Sequence, residues 1–123
     1  KNRWETFNQI ESVCSKSVNI IYGSHSLEHI QDIEKFQLKI NRVLKSNGIL
    51  FWEVPNAEYP YNGAMINKID IPHTYYFKKQ FFKNWLTNII LCESFDKDSY
   101  DKIEDFISHK NEAGRVIIAM GQL

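Results

Sequence analysis

VNIIYGSHSLEHIQD, residues 18–32, is the stretch on which the fold of this chain turns. Its first five residues are β-branched or aromatic apart from Asn19 and read as a fully buried strand ending at Gly23-Ser24. The segment after that strand has two readings. His25, Glu28 and His29 match the His-x-x-Glu-His pattern with which some hydrolases hold zinc. The same letters suit a ligand-facing loop after a buried strand in an α/β enzyme. The flanking segments decide between them.

Downstream the period changes. Ile33, Phe36, Ile40, Val43 and Leu44 share one face at helical spacing, with Glu34, Lys35, Lys39 and Arg42 opposite. Asp32 is a suitable N-cap, and Asn47-Gly48 supplies a left-handed stop. A second buried strand, ILFWEV, ends at Pro55-Asn56. Residues 57–73 carry Pro60, Gly63 and Pro72 without a sustained period and read as a long loop of the kind that is often functional. Phe77, Phe81, Phe82, Trp85, Leu86 and Ile89 mark a further helix, followed by a short strand near 91–96. Ile103, Phe106 and Ile107 suggest a helix over 100–109, and RVIIAMG a closing strand. Upstream, Trp4, Phe7, Ile10 and Val13-Cys14 suggest a short amphipathic helix within 1–17.

Strands alternating with helices predict one α/β domain over residues 1–123 with a largely parallel sheet. Ligands bind such sheets beyond the carboxyl ends of the strands, where GSHSLEH and PNAEYPY both fall. The composition, 43% hydrophobic and 24% charged, is that of a globular protein. With 15 basic and 15 acidic side chains there is no positive field to attract nucleic acid. Apolar runs are too short for a membrane span. Cys14 and Cys92 are isolated, the expectation for a reduced cytoplasmic protein. The chain opens on Lys1 without a signal peptide, as a piece of something longer would.

Three blocks, NIIYGSHSLEHIQD, INRVLKSNGILFWEVPN and PHTYYFKKQFFKNWL, together resemble the second half of class I S-adenosylmethionine-dependent methyltransferases. The resemblance is close over residues 18–90 and one of pattern beyond them. It implies an incomplete Rossmann-like methyltransferase fold, a C-terminal half-sheet with flanking helices. The surviving strands would be the family's fourth, fifth, seventh and sixth, in that spatial order. The family's Gly-rich cofactor loop is absent, since the chain contains no G-x-G. Asn19 stands where the family often has Asp, and LKSNG replaces a Pro-Gly-Gly-type turn.

The resemblance implies methyl transfer from S-adenosylmethionine to a small-molecule acceptor, by a longer or two-part enzyme. Gly23, Ser24 and His25 would line the methionyl end of the cofactor, with weak or no binding in this chain alone. Glu28, His29, Glu53, Asn56 and Tyr75 are the candidates for the substrate side. His73, in a Pro-punctuated loop and of a residue type that can take up a proton near neutral pH, is the candidate general base, with Tyr76 beside it. Each has a plainer reading: His29 capping the next helix, His73 anchoring a loop, one of Tyr75 and Tyr76 packing inward. Glu53 inside so apolar a strand requires a partner. Phe51, Trp52, Phe81, Phe82 and Trp85 read as core. The strand at 18–22 would have an open edge, to be covered by residues 1–17, by a missing N-terminal half or by a second copy. Two other classes stand beside this one. One is a non-catalytic remnant that packs on a partner. The other is a zinc hydrolase using His25, Glu28 and His29, with Glu104 as a distant third ligand.

Overall fold

A computed structural model of the chain describes residues 7–59, 75–96 and 114–123. Four strands, β1 (Val18–Ser24), β2 (Leu44–Pro55), β3 (Asn88–Phe95) and β4 (Val116–Gln122), form one sheet in the order β1-β2-β4-β3. Helix α1 (Ile33–Val43) connects β1 to its parallel neighbour β2, and α2 (Lys79–Trp85) precedes β3. β4 lies antiparallel between β2 and β3. Thus β1, β2 and β3 run in one direction, but the inserted β4 makes only one of the pairings parallel. The expected largely parallel sheet is corrected to a mixed one, in the half-sheet order that the resemblance implies.

The β1-α1-β2 unit forms where the pattern places it. Asp32 is the N-cap of α1, its carboxylate accepting the Lys35 amide over 3.0 Å. Ile33, Phe36, Ile40 and Val43 bury one face of the helix. Its stop differs from expectation. α1 ends at Val43, and Lys45–Gly48 already belong to β2, with neither Asn47 nor Gly48 in a left-handed conformation. The last carbonyls of a helix need outside donors. Here the preceding segment provides them: the Lys16 amide donates to Arg42 O (2.9 Å), the Ser17 amide to Val43 O (3.0 Å) and Lys16 Nζ to Asn41 O (2.8 Å). Lys16 adopts φ 55° to do so. Arg42 reciprocates, its guanidinium donating to Ile10 O (2.7 Å) and Val13 O (2.8 Å). A chain so tied down needs no glycine to end the helix.

Within residues 7–17 the amphipathic helix is replaced by a 3₁₀ turn, Phe7–Ser12. The remainder of that predicted helix, including Trp4, lies outside the described residues. The helix predicted from Phe77 to Ile89 is shorter than its apolar period. Leu86 is already extended, its N–H bonded to Phe82 O, and Ile89 belongs to β3. The predicted helix at 100–109 and most of the loop at 57–73 also lie outside the described residues.

The main core forms between one sheet face and the two helices. Leu50, Trp52 and Val54 of β2, Ile117 and Ala119 of β4, and Cys92 of β3 meet Phe36, Ile40 and Val43 of α1 and Phe82 of α2. Trp52 and Phe82 are wholly buried, whereas Phe51, Phe81 and Trp85 are half-buried. Trp52 stacks on Trp85 at 6.0 Å and meets Phe36 edge-on at 5.9 Å.

β1 departs from its expected full burial. Ile20 and Tyr22 are 63% and 52% exposed, and only Gly23 is buried. β1 ends the sheet order, and among the described residues β2 is its only strand neighbour, so its side chains lack the flanking cover of a central strand. Among the described residues, no strand or helix covers its outer edge. No helix among them is long and apolar enough to cross a membrane.

Candidate functional site

The parallel strands β1 and β2 end side by side, with Gly23 opposite Trp52 and Ser24 opposite Glu53. Gly23 is required by proximity: a Cβ there would lie 2.1 Å from Trp52 Cζ3. The chain then turns sharply. His25 takes a left-handed conformation, φ 47°, which is unfavourable for a residue with a Cβ. Its amide donates to Glu53 O over 2.9 Å, and its ring Nε2 lies 3.2 Å from Glu53 Oε1. The Ser24 hydroxyl donates to the same oxygen at 2.7 Å. Glu53 therefore has the partners that its buried position demands.

A 3₁₀ turn, Leu27–His29, carries the second carboxylate. Leu27 anchors the turn in the core, wholly buried. Glu28 is buried as well, and neither of its carboxylate oxygens accepts a hydrogen bond from the described residues. Oε1 lies 3.7 Å from His25 Nδ1 and 3.9 Å from His29 Nε2, both beyond hydrogen-bond reach. The two imidazoles are partly exposed, so two carboxylates sit beneath a pair of solvent-facing rings.

Tyr75 closes one flank. Its amide donates to Glu28 O (3.2 Å), while its hydroxyl donates to Gln31 O (3.1 Å) and accepts from the Ile33 amide (3.4 Å). Asn56, just beyond β2, is wholly buried and bridges to Phe77. Its amide group donates to Gly114 O (2.8 Å) and accepts from the Glu58 amide (3.0 Å), tying three segments together.

The structure thus brings Gly23, Ser24, His25, Glu28, His29, Glu53 and Tyr75 to one end of the sheet. Asn56 lies nearby, with its side chain engaged in structural bonds. Tyr75 packs near Phe77, and Tyr76 is exposed. His73 lies outside the described residues. Ser26 was not singled out by the sequence, yet its hydroxyl is buried without a hydrogen-bond partner. The available signal was a serine in N-cap position ahead of Leu-Glu-His; it makes no capping bond.

The arrangement does not follow the zinc pattern. That pattern needs both histidines on one helix face, whereas His25 sits at a left-handed turn and His29 in a separate short turn. Among the described residues no three His, Cys, Asp or Glu side chains are grouped to hold a metal ion. Glu104 lies outside them.

Comparison with known proteins bears on the fold. A family model described as a methyltransferase domain matches residues 5–52, which include β1, the site loop, α1 and most of β2. No curated protein matches the sequence. A solved S-adenosylmethionine-dependent methyltransferase from Archaeoglobus fulgidus matches 94% of this chain and 64% of its own, at 17% identity and a TM-score of 0.65. A chain of the complex between the Haloferax volcanii Trm112 methyltransferase activator and the putative methyltransferase matches 89% of this chain and 56% of its own, at 16% identity and a TM-score of 0.60. An S-adenosylmethionine-dependent methyltransferase from Thermotoga maritima, described as a possible histamine N-methyltransferase, matches 89% and 58%, at 12% identity and a TM-score of 0.60. The chain spans less than two thirds of the length of each of these structures. By its family match and its architecture, this chain resembles S-adenosylmethionine-dependent methyltransferases and has an incomplete α/β methyltransferase fold.

Proposed function

We propose that the chain is one part of a longer or two-part enzyme that transfers a methyl group from S-adenosylmethionine to a small-molecule acceptor. The observation that carries this reading is the polar loop 23–29 at the paired ends of β1 and β2, inside the segment that matches the methyltransferase domain. S-adenosylmethionine, when bound, supplies an electrophilic methyl group on a sulfonium. The residues present fit one end of it. Gly23, Ser24 and His25 stand at the strand end where a methionyl end would lie, but the chain has no G-x-G loop for the remainder.

In this reading the chain's task is chiefly alignment, since in-line transfer gains most from holding two reactants in register. Glu28, His29, Glu53 and Tyr75 face the acceptor side, and Asn56 shapes it by joining the segments around it. His73 removes the acceptor's proton, assisted by Tyr76. A polypeptide partner, either an N-terminal half or a second copy, covers the outer edge of β1. Support for that cover comes from the exposed Ile20 and Tyr22 beside an unpaired strand edge, which attracts further strands.

The test is transfer of a labelled methyl group from S-adenosylmethionine by the longer protein, or by this chain combined with the polypeptide that completes its sheet. Labelled product that depends on both parts is the expected result. A completed sheet that neither binds the cofactor nor transfers the label would favour the non-catalytic remnant.

A further inference from the structure

The wholly enclosed Glu28 carboxylate is the most unusual group in the described molecule. A buried acceptor that receives no hydrogen bond is costly, and a carboxylate has two oxygens to satisfy. Among the described residues neither Glu28 oxygen has a donor, and the nearby Ser26 hydroxyl is orphaned too. Glu28 is held there by structure on both sides: Leu27 is sunk in the core, and the Glu28 carbonyl accepts the Tyr75 amide. A second carboxylate, Glu53, lies across the His25 ring, whose two nitrogens face Glu28 Oε1 at 3.7 Å and Glu53 Oε1 at 3.2 Å. The His25 ring fills the space between them, and two carboxylates so close together favour a positively charged hydrogen-bond donor at the one that lacks a bond, Glu28.

A metal ion does not suit the position, because no three ligating side chains among the described residues are grouped for one. An organic ammonium does, since its N–H groups point in several directions and need only acceptors. We infer that Glu28, with Glu53 behind the His25 ring, is the binding point for the ammonium group of a small organic amine. The imidazoles of His25 and His29 lie 3.7 and 3.9 Å from Glu28 Oε1, so their ring signals report on an amine that binds there. The same chemistry has two sources, the amino end of the cofactor and an amine-bearing methyl acceptor. This inference rests on the reading of the β1 end as a ligand site, but it concerns binding alone. Its failure would leave methyl transfer standing, and a failure of methyl transfer would leave it standing.

The test is a titration of the His25 and His29 ring signals by nuclear magnetic resonance in the 123-residue chain. The probes are benzylamine, L-methionine and, as an uncharged control, benzyl alcohol. At neutral pH the inference expects saturable shifts of both rings at millimolar concentrations of an amine, and none with the alcohol. Glu28→Gln keeps the shape, removes the charge and should weaken the response about tenfold or more. A response to methionine alone assigns the ammonium to the cofactor; a response to benzylamine assigns it to the acceptor. No response to either amine, an equal response to the alcohol, or unchanged binding in a folded Glu28→Gln chain overturns the inference. If that variant does not fold, the amine-against-alcohol comparison on the unaltered chain decides alone.

Discussion

Ser24 and Glu53 are register partners at the ends of two parallel strands, and the Ser24 hydroxyl donates to Glu53 Oε1 over 2.7 Å. This bond, with the His25 ring at 3.2 Å, is what lets a carboxylate occupy the end of an apolar strand. Glu53→Ala removes the acceptor shared by both groups and should cost about 1–3 kcal/mol. Glu53→Gln, which keeps an acceptor in place, should cost less. Urea unfolding of the two variants measures the difference, and equal stabilities would show that the serine and histidine contacts contribute nothing.

Gly23→Ala tests the close approach of β1 to the core. The added methyl would meet Trp52 at 2.1 Å, and Trp52 is wholly buried between Phe36 and Trp85. Overpacking of this kind costs about 1–3 kcal/mol. The midpoint of thermal unfolding should fall, and tryptophan fluorescence should change as the indole shifts. An unchanged midpoint and spectrum would mean that the strand moves aside freely.

Arg42→Ala should loosen the segment before β1 without unfolding the sheet. It removes the bonds to Ile10 O and Val13 O that hold this segment on α1. Hydrogen exchange at the Lys16 and Ser17 amides, which cap α1, should then accelerate while the β2 amides keep their protection. Equal acceleration in β2 would show that the segment and the sheet unfold together.

The two thiols should react in a fixed order. Burial pushes the Cys92 thiol above its ordinary range, so at any given pH below it less thiolate is available. Cys14 is exposed. Iodoacetamide at mildly alkaline pH should label Cys14 first, and Cys92 only as pH rises or as the chain opens. Mass spectrometry of partly labelled protein checks the order, and prior labelling of Cys92 would contradict the burial of β3 against α2.

For the proposed methyl transfer, His73→Ala in the complete enzyme should lower kcat roughly 100-fold and leave cofactor affinity nearly unchanged. Turnover that survives with the same pH profile would make His73 a loop anchor rather than a base.

The sequence by itself determined the β1-α1-β2 unit. Asp32, the apolar period from Ile33 to Val43 and the run Ile49–Val54 each point to one local structure, and local and global demands agree there. It also carried the strand order through the resemblance, and it placed residues 23–29 in one loop at the end of β1. The sheet's direction at β4, the edge exposure of Ile20 and Tyr22, and the early end of α2 were decided by tertiary packing. An apolar strand reads alike whether its neighbour runs parallel or antiparallel, and an edge strand reads like a central one. The same holds at α1, where Lys16 and Ser17, 25 or more residues before their partners Asn41, Arg42 and Val43, end the helix without a left-handed residue at its own C-terminus. No local pattern records that Glu28 would be buried without a donor. Only the fold, by sinking Leu27 and pinning the loop to Glu53, put that carboxylate out of the solvent's reach.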